Sequence, residues 1–165
     1  MQTLIEKAVQ GDVEAFLELM DKNSLAMYKV ARAILNNDDD AADAIQSTIL
    51  KCFEKMDTLQ KPEYFKTWLI RILINNCNRI LRHYKRESLP GEMPETLKMD
   101  SALAEFEFKE MLSLVDEKYR LVLILYYLEG FKIPEIAALL EMNVNTVKTR
   151  LARAREQIRT AYLQK

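Results

Sequence analysis

Apolar residues recur at the 3.6-residue spacing of an α-helix through almost all of this chain, and the pattern lapses over one long stretch, RESLPGEMPETLKMDS (Arg86 to Ser101). That stretch carries two prolines and one glycine and shows no apolar period, the composition of a linker between domains. The period-2 alternation of a half-buried strand is not found on either side of it. The chain is therefore expected to be all-α: two small helical domains, residues 1–88 and 102–165, joined by a flexible linker over 89–101. With 3 Gly, 4 Pro and 49% apolar residues in 165, it has the composition of a globular, strongly helical protein.

Within the first block, Leu4, Ile5, Ala8 and Val9 begin the periodicity, and Phe16, Leu17 and Met20 continue it past Gly11-Asp12. Leu25, Tyr28, Ala31, Arg32 and Leu35 form a second stripe. NNDDD (Asn36 to Asp40) then supplies a turn, with acids placed where they complement the next helix's N-terminal dipole. That helix carries Ala41, Ala44, Ile45, Thr48, Ile49, Cys52 and Phe53 on one side. Lys61-Pro62 marks a break, and a long helix is expected from about Glu63 to Arg86. In the second block, helices are expected over 102–114 and 118–128, followed by two short helices and a basic one at the end.

Several function classes drop out. The spacing shows no Gly-rich phosphate loop, nucleophile elbow or HExxH motif, so no catalysis by this chain is expected. Cys52 and Cys77 sit in helical patterns without a metal-ligand cluster and read as reduced, half-buried thiols. His83 reads as a surface histidine beside Lys85 and Arg86. No cofactor, metal or small-molecule substrate is expected. No apolar run approaches the roughly 20 residues of a membrane span, and MQTLIEKAVQGDVEAF carries acids inside its apolar period, unlike a signal peptide.

Charge is partitioned, although the chain's formal net charge is only −1. Residues 1–88 hold 13 bases and 13 acids, but Glu63 is the one acid between Lys61 and Arg86. Residues 116–165 hold nine bases against six acids. A protein that captures nucleic acid unaided usually carries a net positive field. Here net positive charge is concentrated on two helices.

The last of these has the clearest signal. Pro134 suits the first turn of a helix, Ile136, Ala137, Leu139 and Leu140 give that helix a buried side, and Glu141-Met142-Asn143 makes a turn with Asn143 as the next N-cap. Val147, Leu151, Ala154 and Ile158 then form one inward stripe. Asn145, Thr146, Lys148, Thr149, Ala152 and Arg153 take the opposite face, with Arg150 beside them. Helix, tight turn, and a second helix with a polar, basic outer face is the geometry that places a recognition helix in the major groove. The competing reading is an amphipathic hairpin with a solvated basic face.

IPEIAALLEMNVNTVKTRLARAREQIR (Ile133 to Arg159) resembles region 4 of the extracytoplasmic-function (ECF) sigma factors of the sigma-70 family. Thr146, Val147, Lys148, Thr149, Arg150, Leu151, Arg153, Ala154 and Arg155 match its recognition-helix pattern. Glu141 stands where relatives often have Gly, which implies a looser turn, and Leu114-Val115 replaces a common Leu-Pro. DDDAADAIQSTILKCFEKM (Asp38 to Met56) is similar to region 2.2 of the same family. That likeness implies docking on the clamp helices of the largest subunit of core RNA polymerase through Asp40, Asp43, Gln46, Ile49, Lys51 and Phe53. YFKTWLIRILINNCNRILRHYKR (Tyr64 to Arg86) is similar to regions 2.3 and 2.4. It implies capture of the −10 strand by Phe65, Trp68, Arg71, Asn75, Asn76, Arg79 and Arg82, while Trp68 also has the spacing of a core residue.

The resemblance spans nearly the whole chain, with its blocks in the family's order. It implies an alternative sigma factor, not an enzyme, that acts in the cytoplasm. Its implied partners are core RNA polymerase, promoter DNA at the −35 and −10 elements, and an anti-sigma factor. A conventional helix-turn-helix transcriptional regulator is the alternative.

Overall fold

The computed structural model describes residues 2–87 and 103–164, with side chains over 3–84 and 108–164. The expected linker, 89–101, lies outside them. The chain divides into two compact units, Met1–Thr96 and Leu97–Lys165. Every regular element among the described residues is helical.

The first unit contains α1 (Gln2–Val9), α2 (Val13–Lys22), α3 (Ser24–Ile34), α4 (Asp38–Lys55) and α5 (Phe65–Glu87), with 3₁₀ turns at Met56–Thr58 and Pro62–Tyr64. Local chemistry sets each boundary. Asp12 caps α2 by accepting the Ala15 N–H at 3.0 Å, and Gly11 supplies a φ of +102° just before it. Asn23 separates α2 from α3; its amide donates to the Leu19 carbonyl at 2.7 Å, which satisfies an orphan acceptor at the end of α2. Asn37 caps α4 by accepting the Asp40 N–H at 2.8 Å, and its own amide donates back to Asp40 Oδ2 at 2.7 Å.

Between α3 and α4 sits Arg32, only 5% exposed. Its Nη1 donates to the Leu35 carbonyl at 2.8 Å, and its Nε lies 3.1 Å from Asp38 Oδ1. Tyr28 donates to the same carboxylate oxygen at 3.0 Å. A cation at the end of one helix and an acid at the start of the next thus meet across the turn, each suited to its helix dipole.

Asp40 meets Tyr84, and Thr48 meets Asn76, so α4 and α5 run antiparallel. Leu19, Met27, Val30, Leu35, Leu69, Ile70 and Leu73 are fully buried in this unit. Each such side chain contributes about 1.5–3 kcal/mol. Leu17 and Leu25, expected on the apolar stripes, are exposed instead.

The second unit comprises α6 (Leu103–Leu114), α7 (Glu117–Leu123), α8 (Ile133–Leu140) and α9 (Val144–Leu163). A π-helical turn, Ile124–Leu128, extends α7. Gly130, at φ +73°, ends it by allowing Phe131 N–H to reach back to the Leu125 carbonyl at 2.9 Å. Val115, Leu123 and Ala154 form a buried cluster, with Met111, Leu114, Tyr119 and Ile158 packed against it. Gln157 of α9 secures the start of α7: it accepts the Asp116 N–H and donates to Asp116 Oδ2, both at 2.8 Å.

Candidate nucleic-acid and polymerase interfaces

α8, the turn and α9 form the helix-turn-helix. Glu135 accepts the Lys132 N–H at 3.0 Å at the start of α8, where Pro134 occupies the first turn. Ala137 is buried within the unit. The turn is as tight as one with glycine: Glu141 adopts the left-handed conformation, φ +54° and ψ +47°, correcting the looser turn expected there. Asn143 then caps α9 by accepting the Asn145 N–H at 2.8 Å.

On α9, Val147, Leu151 and Ala154 are buried and Ile158 half-buried, so the helix is rotationally fixed by its inward stripe. Asn145, Thr146, Lys148, Thr149, Ala152 and Arg153 consequently lie exposed on the outer face. The Thr149 hydroxyl donates to the Asn145 carbonyl at 2.9 Å, leaving its oxygen to accept. Arg150 stands apart from these six. It is half-buried and donates to the Lys118 carbonyl at 3.2 Å, against its own unit. Arg155 likewise turns back, to the Tyr127 hydroxyl at 3.0 Å. Outward cationic character on the N-terminal half of α9 therefore rests on Lys148 and Arg153.

On α5, Trp68, Arg71, Asn75, Arg79 and Arg82 fall at successive spacings of three or four, so they share one face over about 21 Å of helix. All are exposed except Trp68, which is half-buried with its ring 6.1 Å from that of Phe65. Two expected strand contacts belong elsewhere. Phe65, 3% exposed, fills the core where α5 begins. Asn76 is also 3% exposed and its amide is bonded to Thr48 of α4, so neither side chain faces a strand.

Beside that face lies a groove of about 440 Å³ whose walls include Leu59, Gln60, Lys61, Tyr64, Trp68 and Arg71. Tyr64 is 56% exposed, and the Lys61 ammonium sits 5.8 Å from its ring centroid. An exposed aromatic, a half-buried indole and two cations around an open hollow suit a planar base and its phosphate. Lys61, Gln60 and Tyr64 were missed in the sequence because Lys61-Pro62 read only as a break. The available signal was Tyr64 standing four residues before Trp68.

On α4, Asp43, Gln46 and Lys51 are exposed, and Ile49 is half-buried. Phe53 is 55% exposed, held edge-to-face on Phe16 with centroids 5.3 Å apart. Asp40 is engaged within the unit: Asn37 donates to one oxygen, and Tyr84 to the other at 3.0 Å.

A sigma-70 region 2 model matches residues 19–87, and a sigma-70 region 4 model matches residues 105–158. The chain is 34% identical to RNA polymerase sigma factor SigV of Bacillus subtilis strain 168, aligned over 80% of this chain and 81% of that one. It belongs to the sigma-70 family. Within the family it falls in the ECF class: it is 29% identical to the ECF RNA polymerase sigma factor SigW of the same organism, over 96% of this chain and 97% of SigW. Among solved structures it is similar to the sigma factor RpoE in complex with the anti-sigma factor NepR from Bartonella quintana. The TM-score is 0.71 at 25% identity, covering 90% of this chain and 96% of RpoE. This sigma factor is thus a transcription initiation factor. The region 2 match over α3 to α5 has no place in a conventional helix-turn-helix regulator, and that alternative is set aside. Among the described residues, no helix is long and apolar enough to cross a membrane.

Proposed function

We propose that the three exposed faces divide the work of initiation. Asp43, Gln46, Ile49, Lys51 and Phe53 of α4 dock on the clamp helices of core RNA polymerase. The α5 face, Trp68 to Arg82, tracks the non-template strand of the −10 element. The groove at Tyr64 and Trp68 receives a base extruded from it. Stacking on aromatic surface is worth about 1–3 kcal/mol per base, comparable to the few kcal/mol that extrusion costs. Asn145, Thr146, Lys148, Thr149, Ala152 and Arg153 of α9 enter the major groove of the −35 element, where Lys148 and Arg153 meet phosphates or guanine edges. Residues 1–88 thus serve polymerase binding and strand opening, 102–165 serve −35 recognition, and 89–101 tether the two. The chain has no catalytic activity of its own and works in the cytoplasm. An anti-sigma factor holds it inactive, as the likeness to RpoE in complex with NepR suggests.

The observation that carries this reading is the continuous exposed stripe on α5 beside an aromatic groove, in one chain with a helix-turn-helix. Run-off transcription with core polymerase and promoters selected from genomic fragments tests it. Core enzyme plus this chain is expected to initiate at a defined set of promoters. A chain that shifts promoter DNA by itself and adds no initiation to core enzyme sinks the reading.

A further inference from the structure

A buried line of polar groups joins α4 to α5 and ends on a surface cation. Thr48 of α4 is fully buried, and its hydroxyl donates to the Ala44 carbonyl at 2.7 Å. A hydroxyl has a single proton, so toward α5 the Thr48 oxygen can only accept. This sets the orientation of the Asn76 amide: Nδ2 donates to Thr48 Oγ1 at 2.9 Å, and Oδ1 faces the other way. There Oδ1 accepts a hydrogen bond from Arg79 Nη2. Reversing the amide would set its oxygen against the Thr48 oxygen and its nitrogen against the guanidinium. Both hydrogen bonds would break inside a region where an unpaired polar group is costly.

We propose that Asn76 is a positioning residue for strand capture. It holds the Arg79 guanidinium pre-oriented toward a phosphate of the captured strand, and the Thr48 hydroxyl sets the amide that does so. The other N–H donors of Arg79 remain to pair with phosphate oxygens. A guanidinium already held in place loses less side-chain freedom on binding than one that must be ordered. Because the line starts on α4, the α5 cation is referenced to the helix proposed to face polymerase. This inference rests on the strand-capture reading above.

The test uses holoenzyme assembled from core polymerase and the full chain, with a fluorescein-labelled single-stranded oligonucleotide carrying the non-template −10 sequence of a selected promoter. Arg79→Ala is expected to weaken binding about fivefold and to make the salt dependence shallower by roughly 0.7 in log–log slope, the value for one single-strand phosphate. Asn76→Leu is expected to weaken binding about threefold when Arg79 is present and to have no effect in the Arg79→Ala chain. Thr48→Val reproduces that dependence at the other end of the line, covering the case in which Asn76→Leu fails to fold, and Thr48→Ser restores binding. Equal losses from Asn76→Leu, or from Thr48→Val, with and without Arg79 mean packing alone and overturn the proposal. If Arg71→Ala and Arg82→Ala weaken strand binding while Asn76 acts independently of Arg79, only this inference fails. If Arg71→Ala, Arg79→Ala and Arg82→Ala all leave it unchanged, the strand-capture reading fails and takes this one with it.

Discussion

Glu141 is, among the described residues, the non-glycine residue with a positive φ. Left-handed backbone costs an ordinary residue about 1–2 kcal/mol, and glycine recovers that at some cost in unfolded-state entropy. Glu141→Gly is expected to stabilise the second unit by up to about 1 kcal/mol and Glu141→Val to destabilise it, each read as a shifted urea midpoint at unchanged slope. The Cys52 and Cys77 thiols are fully buried, and burial pushes both from 9.0 up to about 12. With folded values raised, their contribution to stability is complete below pH 9 and is lost as pH rises toward about 12. Alkaline unfolding of the wild type should therefore begin at lower pH than that of a Cys52→Val, Cys77→Val chain. Neither thiol should react with a disulfide reagent at pH 8 until urea opens the fold. At this scale the sequence was ambiguous for a definite reason. Asn76 reads as a polar, surface-type residue, but its partner Thr48 lies 28 positions away on another helix. Nothing local could show that the amide is satisfied in the core.

Elements were far more legible, because period, caps and turn residues act within four positions. Asn37 and Asn143 cap helices by hydrogen bonds to N–H groups two or three residues on, and both starts could be read in the chain. The faces were less legible where apolar residues crowd the helix. Phe65 and Trp68 are both large aromatics near the start of α5, yet one is core and the other borders the groove. Arg150 and Arg153 both match the family's recognition pattern, and only packing against α7 separates them. For α9, Lys148→Ala and Arg153→Ala are each expected to flatten the salt dependence of −35 duplex binding by holoenzyme. The expected change is roughly 0.9 in log–log slope for each phosphate the variant no longer neutralises. A slope unchanged in both variants removes the assignment of that face. For α5, Asn75→Ala should reduce permanganate reactivity of the −10 thymines while leaving polymerase affinity unaltered. Parallel loss of both would mark Asn75 as structural.

At the scale of the whole molecule, the near-neutral charge is informative. Basic residues everywhere would bind any DNA, since phosphate neutralisation is blind to sequence. On the proposed division of work, concentrating net positive charge on α5 and α9 makes productive binding depend on polymerase engaging both units at once. One chain presents its second unit at an effective concentration near the millimolar range. Supplied as separate polypeptides at about 1 μM, residues 1–88 and 102–165 are therefore expected to support at least 100-fold less run-off product than the intact chain. Undiminished initiation would show that the covalent connection contributes nothing.

Read alone, the sequence determined what is local and periodic: an all-helical chain, its helix starts and ends, and two family blocks in order. Spacings of three and four residues encode those directly. Which side of each helix faces solvent, which arginines stand outward, and how a 3₁₀ loop and α5 enclose a groove were decided by contacts between distant segments. Burial and hydrogen-bond partnership belong to pairs of residues, and folding alone brings those pairs together.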